Sequence, residues 1–217
     1  TDSANIPRST VFNMLLNLDG NPQALHLFED TSAFPFAPPR AYAGCYDGGG
    51  NFYTGLGSNN KQIVIKSDAS GQMLWAHSGN HHEYYSMVCE GGSVTFMGQD
   101  ESVQGAHDFS IARFDAAGAG GAGMMYGTTG FELPQKMAKL QNHYLMVGSS
   151  SQLSDFHGMV VKAAPNFEQI WGKIYAVTGK NLLFYAIDGP VDGSGYIVSG
   201  RARGGADSLF LMKIDTA

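Results

Sequence analysis

The residues of this chain best equipped for chemistry are its seven histidines, two cysteines and several glycine runs. His77, His81, His82 and Glu83 form the densest set of potential metal ligands, because imidazole nitrogen and carboxylate oxygen suit a first-row divalent ion. On a helix the spacing of His77 and His81 would aim both rings at one site. The flanking residues show no helical period, so the segment is expected to be a polar turn between strands, and no metal or other cofactor is assigned. Glycine-rich runs at 48–50, 118–123 and 193–195 lack the following Lys-Ser/Thr and helix that a phosphate cradle needs, and are expected to be turns. No serine sits in a G-x-S-x-G context, and the chain is not expected to be an enzyme. Tyr42, Tyr53, Tyr84 and Tyr85 are the rings best placed to stack on a sugar, which makes carbohydrate the ligand class to consider.

The elements that carry these residues recur. Residues 192–215, DGSGYIVSGRARGGADSLFLMKID, contain a turn, an alternating strand reaching a glycine, a glycine-rich loop and a second strand ending in Lys-x-Asp. The first half returns as DGGGNFYTG, EGGSVTFMG and LQNHYLMVG, which place the strand-ending glycine at Gly55, Gly98, Gly148 and Gly200. The second half returns as IVIKSD, IARFD and VVKAA, with Asp68, Asp115, Ala164 and Asp215 in register. A repeat of about 49 residues accommodates four strands with tight turns, and no window shows the i, i+3, i+4, i+7 pattern of a helical repeat. Trp75, Trp171 and Tyr126 are expected at equivalent places in the last strand of successive repeats.

The run Asp68-Ala-Ser-Gly71-Gln-Met-Leu-Trp75 completes a pattern in which D-G-G and an alternating strand are followed by K/R-x-D-x-x-G-x-x-x-W. This pattern resembles the β-propeller repeats of secreted bacterial proteins. The resemblance implies an architecture and lends no catalytic residue. The fold class expected is all-β, a four-bladed β-propeller with a surplus N-terminal strand. Residues 1–10 form an arm. Residues 11–217 form one domain with repeats at about 40–79, 80–130, 131–179 and 180–217. Residues 11–28 complete the last blade or a neighbour's. Val94, Phe96, Tyr144, Met146, Ile197, Ile63, Ile65, Ile111, Val161 and Leu211 are expected in the core.

Thirteen Lys and Arg against 19 Asp and Glu give a net charge of −6 with no basic run, which argues against nucleic acid as a partner. No apolar run approaches the length of a membrane span. The chain starts at Thr1 without a signal-like segment, which reads as a processed or partial chain, secreted or displayed at the cell surface. Aligning the repeats on Gly55 and Gly98 sets Cys45 level with Val88, so that Cys89 faces the opposite side of its sheet. Adjacent blades present opposite faces to each other, and the two cysteines therefore either both point into the seam between the first two blades or both point away. If they point in, a disulfide is expected in an oxidising compartment.

Counting strands leads to function. If residues 24–28 supply the fourth strand of the last blade, then residues 11–18 and 209–214 compete for one place beside them. The strand left over, with Val11, Phe12, Met14, Leu16 and Leu18 in the N-terminal case, would be donated to another copy of the chain. The expectation is an extracellular structural protein, the subunit of a filament or other head-to-tail homopolymer assembled by strand exchange. A lectin-like ligand-binding propeller is the rival, and a propeller enzyme comes third.

Overall fold

The computed structural model describes residues 11–16, 19–28, 40–58, 61–79, 83–101, 107–140, 142–152, 155–189 and 195–215, and every regular element among them is a strand. The strands are β1 (Val11–Leu16), β2 (Pro22–Phe28), β3 (Arg40–Tyr46), β4 (Phe52–Ser58), β5 (Lys61–Ser67), β6 (Met73–Gly79), β7 (Glu83–Glu90), β8 (Ser93–Glu101) and β9 (His107–Phe114). They continue with β10 (Gly120–Tyr126), β11 (Glu132–Leu140), β12 (His143–Ser150), β13 (His157–Ala163), β14 (Gln169–Tyr175), β15 (Asn181–Asp188), β16 (Tyr196–Arg203) and β17 (Ser208–Ile214).

Each repeat folds as an antiparallel meander in chain order. The sheets are β3-β4-β5-β6, β7-β8-β9-β10, β11-β12-β13-β14 and the three-stranded β15-β16-β17, and β1-β2 forms a separate hairpin. The first strands β3, β7, β11 and β15 lie beside one another in that order, so the sheets are arrayed face to face. The turn closing the third strand of each repeat follows from its sequence. Asp68 Oδ1 accepts the main-chain N–H of Ser70 and Gln72 at 2.8 and 3.0 Å, and Asp115 Oδ1 those of Ala117 and Ala119 at 2.9 and 2.8 Å. Gly71 and Gly118 supply the positive φ that these turns need, 83° and 84°.

The core lies in the seams between sheets. Tyr53 and Val64 of the first sheet meet Val94 and Phe96 of the second. Met97, Phe109 and Ile111 of the second meet Tyr144, Met146 and Val161 of the third. Leu145, Val147 and Val160 of the third meet Phe184, Tyr196 and Val198 of the fourth.

Four expectations are corrected. The marker glycines do not end strands: Gly98, Gly148 and Gly200 lie within β8, β12 and β16, each opposite the bulge of the preceding strand. A Cβ on Gly148 would sit 2.0 Å from the Leu133 carbonyl oxygen, so the inner strand's approach excludes a side chain. In the first sheet Leu56, and not Gly55, holds this place, because the triple-glycine turn after Asp47 is longer than the Gly91-Gly92 turn and slips the alignment by a residue. Likewise the run 118–123 is not all turn, since β10 starts at Gly120. Tyr126 is not the counterpart of Trp75 and Trp171: those rings stand opposite Lys66 and Lys162, whereas Tyr126 stands opposite Phe109 at the far end of its strand. Finally, Ile63 is half-buried, and Ile197 and Leu211 are exposed; Val94, Phe96, Tyr144, Met146, Ile65, Ile111 and Val161 are buried.

Candidate functional site: the seams and the open fourth sheet

The Lys/Arg two residues before each turn-opening position has a repeated task. Lys66 Nζ crosses to the second sheet and donates to the Ala116 carbonyl at 2.9 Å, joined there by Trp75 Nε1 at 3.2 Å. Arg113 Nη2 crosses to the third sheet and donates to the Pro165 carbonyl at 3.2 Å and to the Tyr144 hydroxyl at 2.7 Å. In both cases the acceptor is the residue just after the turn-opening position, Asp115 or Ala164. Each cation is thereby neutralised by main-chain dipoles and rings at the seam; the Arg113 guanidinium lies 4.9 Å from the Phe167 ring centroid.

The third repeat has lost both Asp and Gly from its turn and keeps the turn nonetheless. Ala164 N donates to the Glu168 carbonyl and Phe167 N to the Ala164 carbonyl, which forces Phe167 to a φ of 70°. That side chain is buried against Tyr144 and Arg113, and the Phe167 carbonyl accepts the Tyr126 hydroxyl at 2.6 Å. Burial pushes the Tyr126 hydroxyl pKa up.

Burial changes at the fourth sheet. Two residues before the Lys/Arg, Val64, Ile111 and Val160 are 0 %, 1 % and 0 % exposed, but Leu211 is 78 % exposed. Opposite the Lys/Arg, Tyr53, Thr95 and Leu145 are buried while Ile197 is exposed. Leu209 is 86 % exposed. Among the described residues no strand pairs with the outer edge of β17, although β6, β10 and β14 occupy that edge in the other sheets. Of the two strands that the sequence lets compete for the place beside β2, the structure pairs β1 with it, with Val11 opposite Phe28, Phe12 opposite Leu27, Met14 opposite Leu25 and Leu16 opposite Pro22. Met14 is exposed, and Leu18 lies outside the described residues.

The remaining candidates scatter along the array. Cys45 and Cys89 form a disulfide joining β3 to β7, with Cα atoms 5.7 Å apart. His77 stacks on Phe114 at 5.2 Å in the first seam, next to Trp75; His81 and His82 lie outside the described residues. No group of three or more His, Cys, Asp or Glu that could hold a metal ion occurs among the described residues. Tyr42 and Tyr85 occupy the bulges of β3 and β7 with ring centroids 6.5 Å apart, and Tyr185 holds the bulge of β15. Tyr53 is buried, its hydroxyl donating to the Gly92 carbonyl at 2.5 Å, and of Tyr84 only the backbone in β7 is described.

A buried acid pair that no sequence motif marks lies between the second and third sheets. Glu132 is 0 % exposed, and its Oε1 accepts Thr128 Oγ1 at 2.6 Å and Ser150 Oγ at 2.7 Å. Asp108 beside it is 8 % exposed, and burial, then a hydrogen bond with and repulsion from Glu132, push its carboxyl up to about 7. The available signal is departure from the repeat: counted from the bulges, the places equivalent to Glu132 hold Pro39, His82 and Leu182.

No family model matches the chain, and no curated protein sequence does. Its fold is similar to that of a luciferin-regenerating enzyme, with a TM-score of 0.55 at 10 % identity over 89 % of this chain and 64 % of that one. It is also similar to an N11 neuraminidase-like protein of A/flat-faced bat/Peru/033/2010, with a TM-score of 0.50 at 13 % identity over 87 % and 63 %. A provisionally assigned 6-phosphogluconolactonase from Bacteroides uniformis gives 0.51 at 10 % identity over 94 % and 67 %. The chain thus spans less than two thirds of the first two. At such identity the likeness shows the fold, an all-β propeller-like array of sheets, and nothing of function.

Proposed function

We propose that this chain is an extracellular structural protein, the subunit of a head-to-tail homopolymer assembled by strand exchange. Each copy contributes four blades, the fourth incomplete, and the hairpin β1-β2 of another copy adds to the β17 edge with β2 as the missing fourth strand. The observation that carries this reading is the end of the array: three strands where the three preceding sheets have four, and Leu211 and Ile197 exposed where counterparts in the earlier sheets are buried, with Leu209 exposed beside them. Burying three such side chains contributes roughly 5–8 kcal/mol, against an association cost of about 4–15 kcal/mol, so added backbone pairing and face contacts tip the balance toward assembly. A contact between unlike ends does not close on itself and propagates as a filament.

The Cys45–Cys89 disulfide suits an oxidising compartment, and no helix among the described residues is long and apolar enough to cross a membrane. The reading assigns no reaction and no cofactor. Its test is sedimentation and negative-stain microscopy of the full chain beside the double variant Leu209→Lys, Leu211→Lys, since charges on an edge strand oppose pairing. Filaments from the parent and a folded monomer from the variant support it; a parent that stays monomeric at high concentration overturns it.

The rival is glycan binding, favoured by the tyrosines at three of the four inner-strand bulges. It requires that carbohydrate titration quench tyrosine fluorescence and that Tyr85→Ala abolish the response.

A further inference from the structure

We propose that Asp108 and Glu132 bind a calcium ion that ties the second sheet to the third in the middle of the array. Such a site lies within one chain and does not depend on assembly between copies.

Glu132 provides the fixed half of the site. Both hydrogen bonds to its carboxylate fall on one oxygen, Thr128 Oγ1 donating to Oε1 at 2.6 Å and Ser150 Oγ at 2.7 Å. Those hydroxyls are themselves held, Thr128 Oγ1 accepting the Gly130 N–H at 2.9 Å and Ser150 Oγ that of Gln152 at 3.3 Å. Gln99 Nε2 anchors the main chain, donating to the Glu132 carbonyl at 2.7 Å. The second oxygen, Oε2, is buried and has no partner. Asp108 is in the same condition: the residue is 8 % exposed, and its Oδ1 is buried without a partner. Gly127 leaves room for that oxygen, because a Cβ there would lie 2.0 Å from it.

Charge decides what fits between them. Burial is the largest influence on the Asp108 carboxyl, and the charges that add to it, Glu132 and Asp100, are both negative. Two carboxylates withdrawn from water without a compensating cation are costly, and a bound cation offsets that cost. Two further buried side chains beside the pair also lack partners. Ser110, 5 % exposed, lies two residues along β9 from Asp108 and so on the same side of the strand, and its Oγ is unpartnered. His157, 7 % exposed, stands opposite Ser150 as Glu132 does on the other flank, which puts it on the face that carries Glu132, and neither ring nitrogen has a partner. A hydrated ion answers both needs, with charge for the carboxylates and water for the hydroxyl and the imidazole. Since no third His, Cys, Asp or Glu joins the pair among the described residues, water completes the shell. Carboxylate and water are hard oxygen donors, which suit calcium or magnesium rather than a transition metal. Calcium is the better fit, because carboxylates brought from two different sheets make an irregular shell, and magnesium demands a near-ideal octahedron.

The test uses the full chain, stripped with chelator and dialysed to pH ~8, above the value of about 7 to which the Asp108 carboxyl is raised. Calcium chloride is titrated in a calorimeter, and melting is followed with calcium, with magnesium and with neither. One calcium per chain and a melting temperature raised by about 5–10 °C at a hundredfold excess over Kd support the site. Asp108→Asn and Glu132→Gln keep the side-chain shapes and relieve the repulsion, so both are expected to fold. Each should weaken calcium binding by about tenfold or more and lose most of the shift, whereas Glu168→Gln on an exposed turn should keep it. If calcium leaves the parent's melting temperature unchanged, or raises it as far in both variants as in the parent, the pair holds no ion and the proposal fails. A response to magnesium that equals or exceeds the response to calcium overturns the assignment to calcium.

Discussion

Phe167 offers a sharp test of how the seams are built, because two effects act on it in opposite directions. Replacing it with Ala removes a buried aromatic ring, at a cost of roughly 3–5 kcal/mol, and leaves a Cβ in the left-handed region at a φ of 70°. Replacing it with Gly removes the same ring and also relieves the left-handed strain, worth about 1–2 kcal/mol, of which the flexibility of glycine in the unfolded chain returns roughly half. Both variants keep the main-chain carbonyl that accepts the Tyr126 hydroxyl, and both lose the stacking of Arg113. The difference is therefore the backbone term alone. Phe167→Gly is expected to be more stable than Phe167→Ala by about 1 kcal/mol, or roughly 2–4 °C in Tm for a chain of this size. Val161, buried in the middle of β13, is the control: there Gly should be worse than Ala by about the same amount. Urea unfolding of the four variants measures both differences. If Gly at 167 proves no better than Ala, the positive φ carries no strain and the account of the third turn is wrong.

The Asp108 carboxyl, raised to about 7 by burial and by Glu132, with Asp100 adding repulsion, is protonated in the folded state over a range where the unfolded chain ionises it. Its contribution is complete below pH ~4 and is lost as pH rises through about 7. Asp108→Asn should flatten the dependence of unfolding free energy on pH between ~4 and ~7, and an unchanged slope would count against the raised carboxyl. Reduction of Cys45–Cys89, which closes 44 residues of chain, should lower stability by about 4 kcal/mol, read as a shift in the urea midpoint with and without reductant. Leu211→Ala should change the stability of the monomer by less than about 0.5 kcal/mol, whereas Val160→Ala at the equivalent place in the third sheet should cost about 2 kcal/mol. Equal losses would mean that Leu211 is covered within one chain.

The all-β repeat was legible because the alternation of apolar residues and the Asp-x-x-Gly turns both report local structure. Asp68 and Asp115 close their turns through their own side chains, so spacing in sequence is spacing in space. Alignment on glycines was less faithful, since a glycine beside a bulge and a glycine in a turn look alike in sequence. Leu56 takes the place that Gly55 was assigned, and the longer Asp47 turn accounts for the slip. Tyr126 differs for another reason: matching it to Trp75 requires an insertion at 118–123, whereas Gly120 pairs with Phe114 as Met73 pairs with Ser67, so the turn has no insertion and Tyr126 falls at the other end of the strand. The repeat places Ile197 and Leu211 in the core because their counterparts are buried, and nothing in a repeat states where the array ends. The acid pair escaped because Asp108 and Glu132 lie 24 positions apart and meet across a seam.

The two cation-to-carbonyl contacts across seams, Lys66 to Ala116 and Arg113 to Pro165, run the same way, from one sheet to the one after it. An array held by such contacts has a polarity, and each sheet is coupled to its two neighbours and to little else. Its stability behaves as a chain of nearest-neighbour terms, so opening begins at the termini and travels inward. Amide exchange in this protein should therefore be graded along the array, slowest in β8, β9, β12 and β13, which flank the methionine-lined middle seam of Met97, Met137, Met146 and Met159.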